Sequence, residues 1–364
     1  MYNWQHKNWA NFTFDHLAVQ EITAAFTSSW HAMGAVLQDL TPAGQQEEII
    51  RFMISEAEKT AEIEGEYISR IDLMSSIKNK LGLNTQAVKD KRASAMSNLL
   101  FAVKNSYNEK LTLSTIKEWH RLLFEDSKHI NTGKWRTGAD PMQIVSGAMG
   151  REIVHYEAPP SYRIPAEMKQ FVNWYNAFKV ETSNDALIKT AIAHLYFESI
   201  HPFEDGNGRI GRAIAEKCLA QSLGKPILLS LSTTIEKNKK QYYDAFKTAQ
   251  LTLEITDWIV YFAGVIAQAQ EDAVSTVTFS LTKARFFDKF TPLLNERQLK
   301  AINKMFDAGT GGFKGGMTAK KYISITKTTK ATATRDLQEL VMHNILLRQG
   351  GGRSTHYVLN RRSD

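Results

Sequence analysis

The stretch that decides the fold reads His201-Pro202-Phe203-Glu204-Asp205-Gly206-Asn207-Gly208-Arg209-Ile210-Gly211-Arg212. Apolar residues at helical spacing precede it from Leu187 to Ile200, and Pro202 disfavours helical backbone at His201. A second helical pattern follows the glycines and ends near Gly224. The sequence therefore predicts a buried helix, a short loop and a second helix.

The loop between these helices has the composition of an anion site. Gly206 and Gly208 allow successive backbone N–H groups to curve into a concave nest that closes on the N-terminus of the second helix. That terminus has free donors and a partial positive charge, which suit a phosphate group. Arg209 and Arg212 are three residues apart, so both guanidinium groups can reach one polyanion.

Two further side chains of the stretch supply acid–base and metal chemistry. Asp205 is a carboxylate beside the phosphate site, where Mg²⁺ usually takes one or two protein oxygens together with phosphate oxygens. His201 can accept a proton near neutral pH. A base, a metal ligand and an anion site thus lie within twelve residues.

The stretch resembles the Fic motif, His-Pro-Phe-x-Asp-Gly-Asn-Gly-Arg-x-x-Arg, at all nine specified positions, and the resemblance extends over about residues 50–265. It implies a protein adenylyltransferase that moves AMP from ATP, with Mg²⁺, to Ser, Thr or Tyr hydroxyls of a target protein. His201 would be the catalytic base and Asp205 the metal ligand. The resemblance assigns ATP and phosphate binding to Asp205, Gly206, Asn207, Gly208, Arg209 and Arg212.

A second segment, Thr60 to Gly65, is similar to the family's inhibitory motif, Ser/Thr-x-x-x-Glu followed by Gly or Asn. The resemblance implies that Glu64 pairs with Arg212 and removes the partner of the ATP γ-phosphate. Ala61 stands where a second serine is often seen, which weakens hydrogen bonding at the helix end without affecting Glu64.

Two other segments resemble parts of the same family. Residues 133–136 (Gly-Lys-Trp-Arg) are similar to a signature that precedes an active-site flap, and 144–156 read as a β-hairpin with a turn at 147–150. An exposed strand edge of this flap would pair with an extended segment of the target. Tyr242 and Tyr243 resemble a pair near the adenine and ribose, although two tyrosines are equally ordinary as packing residues.

Composition gives a soluble, cytoplasmic protein as the expectation. The chain has 364 residues, no N-terminal apolar segment of the signal type, and one cysteine, Cys218, on an apolar helix face. Its longest apolar stretch, residues 258–267, is too short to cross a bilayer. The net charge of +7 is uneven: residues 281–364 contain 16 Lys+Arg and 6 Asp+Glu, so the remainder has a balance of −3. This uneven charge indicates that the C-terminal module has a separate partner.

The predicted fold is mainly all-α, in three parts. Residues 1–48 form an all-helical cap, and 49–268 form the Fic domain with its inhibitory helix at about 49–65. Residues 269–364 contain a linking helix (270–290) and a module that resembles a winged helix-turn-helix. Its helices are expected at 295–308, 318–323 and 328–344, and its strands at 345–348 and 355–359. Lys327, Lys330 and Arg335 begin the would-be recognition helix, so DNA is a candidate ligand of 317–359.

Several alternatives stay open on the sequence alone. Glu64 could position a water that removes AMP from a modified target, which would make the enzyme bifunctional. The donor could be UTP or CDP-choline instead of ATP. The protein could be a DNA-binding regulator whose Fic core only senses a nucleotide. Self-modification and a homodimer are also compatible with the sequence.

Overall fold

The computed structural model describes residues 1–83, 86–146 and 153–360. Within them the chain is mainly helical, as predicted, with two antiparallel hairpins. The helices are α1 (Gln20–Gln38), α2 (Pro42–Ile63), α3 (Arg70–Lys80), α4 (Lys91–Asn105), α5 (Leu113–Leu123), α6 (Ile164–Ala177), α7 (Ser183–Ile200), α8 (Asn207–Ser222), α9 (Leu231–Lys237), α10 (Lys239–Ala249), α11 (Thr256–Phe290), α12 (Glu296–Phe306), α13 (Ala319–Thr326) and α14 (Lys330–Met342). The strands are β1 (Gln143–Ser146), β2 (Ile153–Glu157), β3 (Leu346–Gln349) and β4 (His356–Leu359).

The chain forms two compact units. The first consists of residues 1–32 and 42–273, and the second of residues 33–41 and 274–364. None of the helices in the described ranges is both long and apolar enough to cross a membrane.

Helices α7 and α8 lie at the centre of the first unit. Residues 186–200 of α7 are all buried, because apolar side chains occur on every side of this helix. A capping box between Thr182 and Asp185 fixes its N-terminus. Around this pair pack buried side chains of α2 to α6, such as Trp119 and Phe171. The core therefore holds rigidly the two helices that flank the motif loop.

The N-terminal cap is helical, as expected, from Gln20 onwards. Residues 6–19 precede α1 and cross the surface without a regular helix. Packing holds this segment in place: Trp9 and Phe12 stack edge-on against Tyr196 of α7, and Thr13 forms a backbone bridge with Glu254.

The predicted hairpin is present. Strands β1 and β2 pair antiparallel from Gln143 opposite Glu157 to Ser146 opposite Ile153, with an irregularity after Ile144. The predicted turn at 147–150 lies outside the described residues. Among the described strands, β1 and β2 pair only with each other, so the outer edge of each has no strand partner.

The C-terminal part departs from prediction at one point. The sequence indicated a linking helix over 270–290, but Thr256–Phe290 is one helix of 35 residues, since neither proline nor a capping sequence interrupts it. Beyond it the order α12, α13, α14, β3, β4 agrees with the predicted elements to within three residues at each end. These elements share a core that includes Phe286, Phe306 and Leu337.

Candidate active site

His201 lies where α7 ends. It takes the left-handed conformation (φ 49°, ψ 60°), and its N–H still donates to the Phe197 carbonyl at 3.0 Å. The side chain is only 13% exposed. Burial, followed by the charge of Arg136, lowers the pKa of His201 to about 4. The imidazole is therefore neutral at pH 7 and able to accept a proton.

Arg136 fixes the backbone at His201, a role that the sequence did not reveal. Its Nε donates to the His201 carbonyl at 2.7 Å, and its backbone N–H donates to the Pro202 carbonyl at 3.0 Å. The other end of the guanidinium donates to the Pro159 carbonyl and to the Ser161 hydroxyl. One buried side chain thus joins the end of α7 to the segment that follows β2.

Asn207 closes the motif loop. Its side-chain oxygen accepts from the Phe203 N–H and its amide donates to the Phe203 carbonyl, both at 2.9 Å. Gly206 precedes it at φ 78°, and a Cβ there would lie 2.5 Å from the ring of Phe124. A side chain at Gly206 is therefore excluded on both conformational and steric grounds.

His120 supports the same loop from beneath. Its ring stacks on buried Phe203 with centroids 3.9 Å apart, and its Nε2 is 3.2 Å from the Asp205 carbonyl. Its Nδ1 accepts from the Gly133 N–H at 2.9 Å, so it also joins α5 to the Gly-Lys-Trp-Arg segment. The pKa of His120 is lowered to about 4, chiefly by burial, so it acts as a neutral packing and hydrogen-bonding group.

Arg212 and Glu64 form the expected ion pair. Glu64 Oε1 accepts from Arg212 Nη2 at 2.7 Å, and the guanidinium also donates to the hydroxyl (2.8 Å) and carbonyl (3.0 Å) of Thr60. A Cβ on Gly208 would lie 2.2 Å from Glu64 Oε1, so the carboxylate rests on the first turn of α8. Burial alone would raise the pKa of Glu64, but Arg212 and then Arg209 outweigh it and lower the pKa.

The other motif arginine also has an acidic partner. Arg209 Nη1 donates to Glu66 Oε1 at 2.9 Å, and its guanidinium lies 5.0 Å from the centre of the Phe124 ring. Asp205 Oδ1 is 3.6 Å from Arg209 Nη2 and accepts from the Gly206 N–H. These groups line a cleft of about 410 Å³. Sequence reasoning missed Glu66, whose only signal is its position two residues after Glu64.

The donor set suits a metal ion that arrives with a phosphate. Among the described residues no three His, Cys, Asp or Glu side chains are grouped as a metal site. The Asp205 carboxylate is 56% exposed and faces the cleft, and one such carboxylate with phosphate and water oxygens is a usual Mg²⁺ environment. Asp205 would therefore hold Mg²⁺ only together with a nucleotide.

Glu198 is a buried acid beside the predicted base. Its Oε2 lies 3.8 Å from His201 Nδ1, and neither that nitrogen nor Glu198 Oε1 has a hydrogen-bond partner among the described residues. Burial and then the charge of Glu64 raise the pKa of Glu198 to about 8. Its signal in the sequence was an acid three residues before His201, inside a helix that is buried from residue 186 to residue 200.

The two tyrosines differ in position. Tyr242 is buried, and its hydroxyl shares a hydrogen bond of 2.8 Å with His194 Nε2. Tyr243 is 43% exposed, and its hydroxyl lies 3.5 Å from the Ile63 carbonyl at the end of α2. Tyr242 therefore has the environment of a packing residue, whereas Tyr243 lies at the border of the site beside Glu64.

The N-terminus anchors the hairpin next to His201. The Tyr156 hydroxyl donates to the Ser199 carbonyl at 2.7 Å and to Asn3 Oδ1 at 3.2 Å. Asn3 is fully buried and donates to the Ser199 hydroxyl at 2.9 Å, while Trp4 Nε1 donates to the Glu157 carbonyl. No local sequence pattern indicated these contacts, because they join the first residues of the chain to strand β2 and the end of α7.

Comparisons with solved structures agree with this helical architecture. A Fic family protein from Desulfovibrio desulfuricans matches with a TM-score of 0.53 at 20% identity, over 92% of this chain and 95% of that one. A Fic domain-containing signalling protein from Bacteroides thetaiotaomicron matches with a TM-score of 0.55 at 19% identity, over 71% and 97%. At these identities the likeness establishes a shared fold.

Sequence comparison finds two family matches. Residues 110–219 match the model of the Fic/DOC family, and residues 2–83 match that of a domain of unknown function, DUF4172. Over residues 110–219 the chain is thus similar to the Fic/DOC family. The second match includes α2 and Glu64, so the acid that pairs with Arg212 comes from outside the matched Fic segment.

Curated relatives have the names of protein adenylyltransferases. A probable protein adenylyltransferase of Aquifex aeolicus is 33% identical over 95 residues, which are 26% of this chain and 27% of the relative. A protein adenylyltransferase of Caenorhabditis elegans is 27% identical over 144 residues, or 40% and 25%. The matched part of this chain spans about a quarter of the length of these relatives.

Proposed function

We propose that this protein transfers AMP from ATP to a Ser, Thr or Tyr hydroxyl of a target protein, and that Glu64 inhibits the transfer. The observation that carries the proposal is the position of the Glu64 carboxylate. It lies on Gly208 and pairs with Arg212, where a nucleotide phosphate would find backbone donors and a guanidinium. A carboxylate that occupies an anion site would compete with the nucleotide phosphate for that site.

The base role falls to His201. A neutral imidazole takes the proton of the attacking hydroxyl, a contribution usually worth about 10²–10⁴ in rate. The lowered pKa of His201 keeps it unprotonated across the physiological range. Arg136 holds the backbone at His201 and so limits the positions that the ring can take.

Charge stabilisation falls to the N-terminus of α8. The backbone N–H groups of residues 206–208 would stabilise the negative charge that develops as pyrophosphate leaves, together with the guanidinium of Arg209, which lines the cleft beside Asp205. Asp205 would hold Mg²⁺, which neutralises phosphate charge when it binds with the nucleotide. Asn207 takes part by holding the loop closed, since both ends of its amide are bonded to Phe203.

The hairpin is the proposed docking site for the target. The unpartnered edges of β1 and β2 can pair with an extended segment and present one hydroxyl to His201. The segments that precede β1 and follow β2 line a cleft of about 600 Å³, which includes Lys117, Lys134, Trp135 and Tyr162 and has no carboxylate among its lining residues. Such a lining suits an acidic or aromatic side chain of the target. Self-modification is part of the same proposal, with a hydroxyl of this chain as acceptor.

The test is incorporation of labelled AMP from ATP into proteins of a cell lysate. We expect Glu64→Gly to label proteins strongly and the wild type weakly. The control is His201→Asn in the Glu64→Gly background, because asparagine tolerates the left-handed conformation that His201 adopts. It should lose labelling and keep ATP binding. Equal labelling by the two variants, or none by Glu64→Gly, would contradict the proposal.

Two additional assays separate the alternative reactions. Unlabelled ATP should reduce the incorporation of labelled AMP, whereas unlabelled UTP or CDP-choline should not. If a group from UTP or CDP-choline is itself transferred to protein, the donor assignment is wrong. An AMP-modified target incubated with wild type and with Glu64→Gly tests removal. Faster loss of AMP with the wild type would assign Glu64 a role in hydrolysis in addition to inhibition.

A further inference from the structure

The segment before and within α14 is rich in positive charge and has no acid. Residues 308–335 include six lysines and arginines and neither aspartate nor glutamate. The six are Lys314, Lys320, Lys321, Lys327, Lys330 and Arg335. A segment with this composition attracts a polyanion, and its structure determines which kind.

Helices α13 and α14 form a helix-turn-helix. Residues 327–329 connect them, with Lys327 in the left-handed conformation (φ 54°) and the Thr329 hydroxyl capping the N-terminus of α14. One face of α14 enters the core through Ala333, Leu337 and Leu340. The opposite face is exposed and consists of Lys330, Ala331, Thr334, Arg335, Gln338 and Met342.

Both carboxylates of α14 are turned away from that exposed face. Asp336 is 1% exposed and accepts from Arg297 Nε at 2.9 Å and from the Tyr322 hydroxyl at 3.0 Å. Glu339 accepts from Gln298 Nε2 at 2.9 Å. Their contacts with α12 and α13 therefore leave only cationic, neutral polar and apolar side chains on the outer surface of α14.

We propose that the C-terminal unit binds duplex DNA, with the exposed face of α14 in the major groove. A helix of 13 residues is about 20 Å long and fits a groove about 12 Å wide. Arg335 and Gln338 have the side chains that form paired hydrogen bonds with guanine and adenine, respectively. Lys330 and Thr334 suit phosphate oxygens, and the exposed Arg348 on β3 offers a further backbone contact.

This inference is independent of the proposed transferase, since it uses only residues of the second unit. The test is fluorescence anisotropy of a labelled duplex of random sequence, about 30 base pairs long, titrated with the full chain between about 50 and 200 mM salt. We expect binding that weakens with salt. Lys330→Gln with Arg335→Gln should raise the Kd at least tenfold. The double variant should also lower the salt slope by about 1, because Lys330 neutralises one phosphate and each neutralised phosphate contributes about 0.9 to that slope.

The matched control removes the same charge from another exposed helix of the unit, in Lys300→Gln with Lys304→Gln on α12. It should change the Kd less than twofold. Equal weakening by both double variants would show unspecific attraction and overturn the proposal, as would failure to bind at about 50 mM salt. Equal affinity for an RNA duplex would also overturn it, because the major groove of A-form RNA does not admit a helix. Thermal unfolding of each variant checks that the unit remains folded.

Discussion

Replacing Glu64 by glutamine isolates the charge of the contact that we propose to be inhibitory. Glu64 follows the last residue of α2, so the substitution leaves the hydrogen bonds of that helix intact. Glutamine keeps the volume above Gly208 but removes the negative charge that Arg212 faces. We expect Glu64→Gln to bind ATP more tightly than the wild type and to transfer AMP faster.

The structure sets the size of the effect. The contact is one charged hydrogen bond of 2.7 Å to a guanidinium that is 1% exposed, and such bonds contribute about 1.5–3 kcal/mol. The Glu64 side chain is 29% exposed, so solvent screening reduces this contribution to about 1–2 kcal/mol. Arg212 keeps both bonds to Thr60 and stays in place. Since about 1.4 kcal/mol is a factor of ten, ATP affinity should rise by about 5–30-fold.

Calorimetric titration with Mg-ATP measures the affinity, and thermal unfolding with and without Mg-ATP measures the coupled stability. Without nucleotide the variant should be less stable than the wild type by about the same 1–2 kcal/mol. With saturating nucleotide it should gain more stability than the wild type, because the phosphates replace the lost carboxylate. Glu62→Gln is the control, since Glu62 is in the same helix but pairs with Lys59.

An ATP affinity within twofold of the wild type would refute the reasoning, provided that Glu62→Gln is also unchanged. It would mean that the Glu64 charge does not compete with the phosphates. A variant that binds ATP tightly yet transfers no AMP would instead show that inhibition acts on the geometry of the bound nucleotide and not on its affinity.

Three other perturbations test separate parts of the site. Arg136→Lys cannot bridge His201 and Pro159 with one planar group, so kcat of the Glu64→Gly protein should fall more than tenfold while the Kd for ATP changes little. In Glu64→Gly, the acid limb of a pH–rate profile should lie nearer pH 4 than 6.5, because the pKa of His201 is lowered. The same lowered pKa should make the folded state less stable as pH drops from 6.5 to 4, because the unfolded chain binds the proton first; thermal unfolding measures this. Asn3→Ala loosens the anchor of the hairpin, so the KM for a protein target should rise while ATP binding, measured calorimetrically, stays constant.

The motif loop was predictable because its chemistry is local. Six phosphate-binding candidates and the base lie within twelve consecutive residues, and two helical patterns fix the backbone on either side. Glu64 and Arg212 are 148 positions apart in the sequence, and only the family resemblance predicted their contact. Residue periodicity alone indicated a solvated helix face at Glu64.

The contacts that Arg136 and Asn3 make around the site were not predictable, because they join residues far apart in the sequence. Arg136 is 65 residues from His201, and its role depends on four acceptors that meet only in the folded chain. Asn3 is 196 residues from Ser199. Its neighbours Trp4 and Trp9 indicated core packing and gave no sign that a buried amide nearby would hold a strand near the site. Long-range hydrogen bonds between polar groups leave no periodic signal.

The end of α2 acts on both motif arginines at once. Glu64 pairs with Arg212 and Glu66 with Arg209, and Gly65 between them takes φ 81°, which brings the Glu66 N–H back to the Ala61 carbonyl at 2.9 Å. The chain reversal at this glycine is what directs two acids two residues apart into one anion site. Any movement that unwinds the last turn of α2 therefore withdraws both carboxylates together. The proposed inhibition would therefore depend on the position of a helix end, and a partner that binds α2 would release it without contact with the proposed nucleotide site.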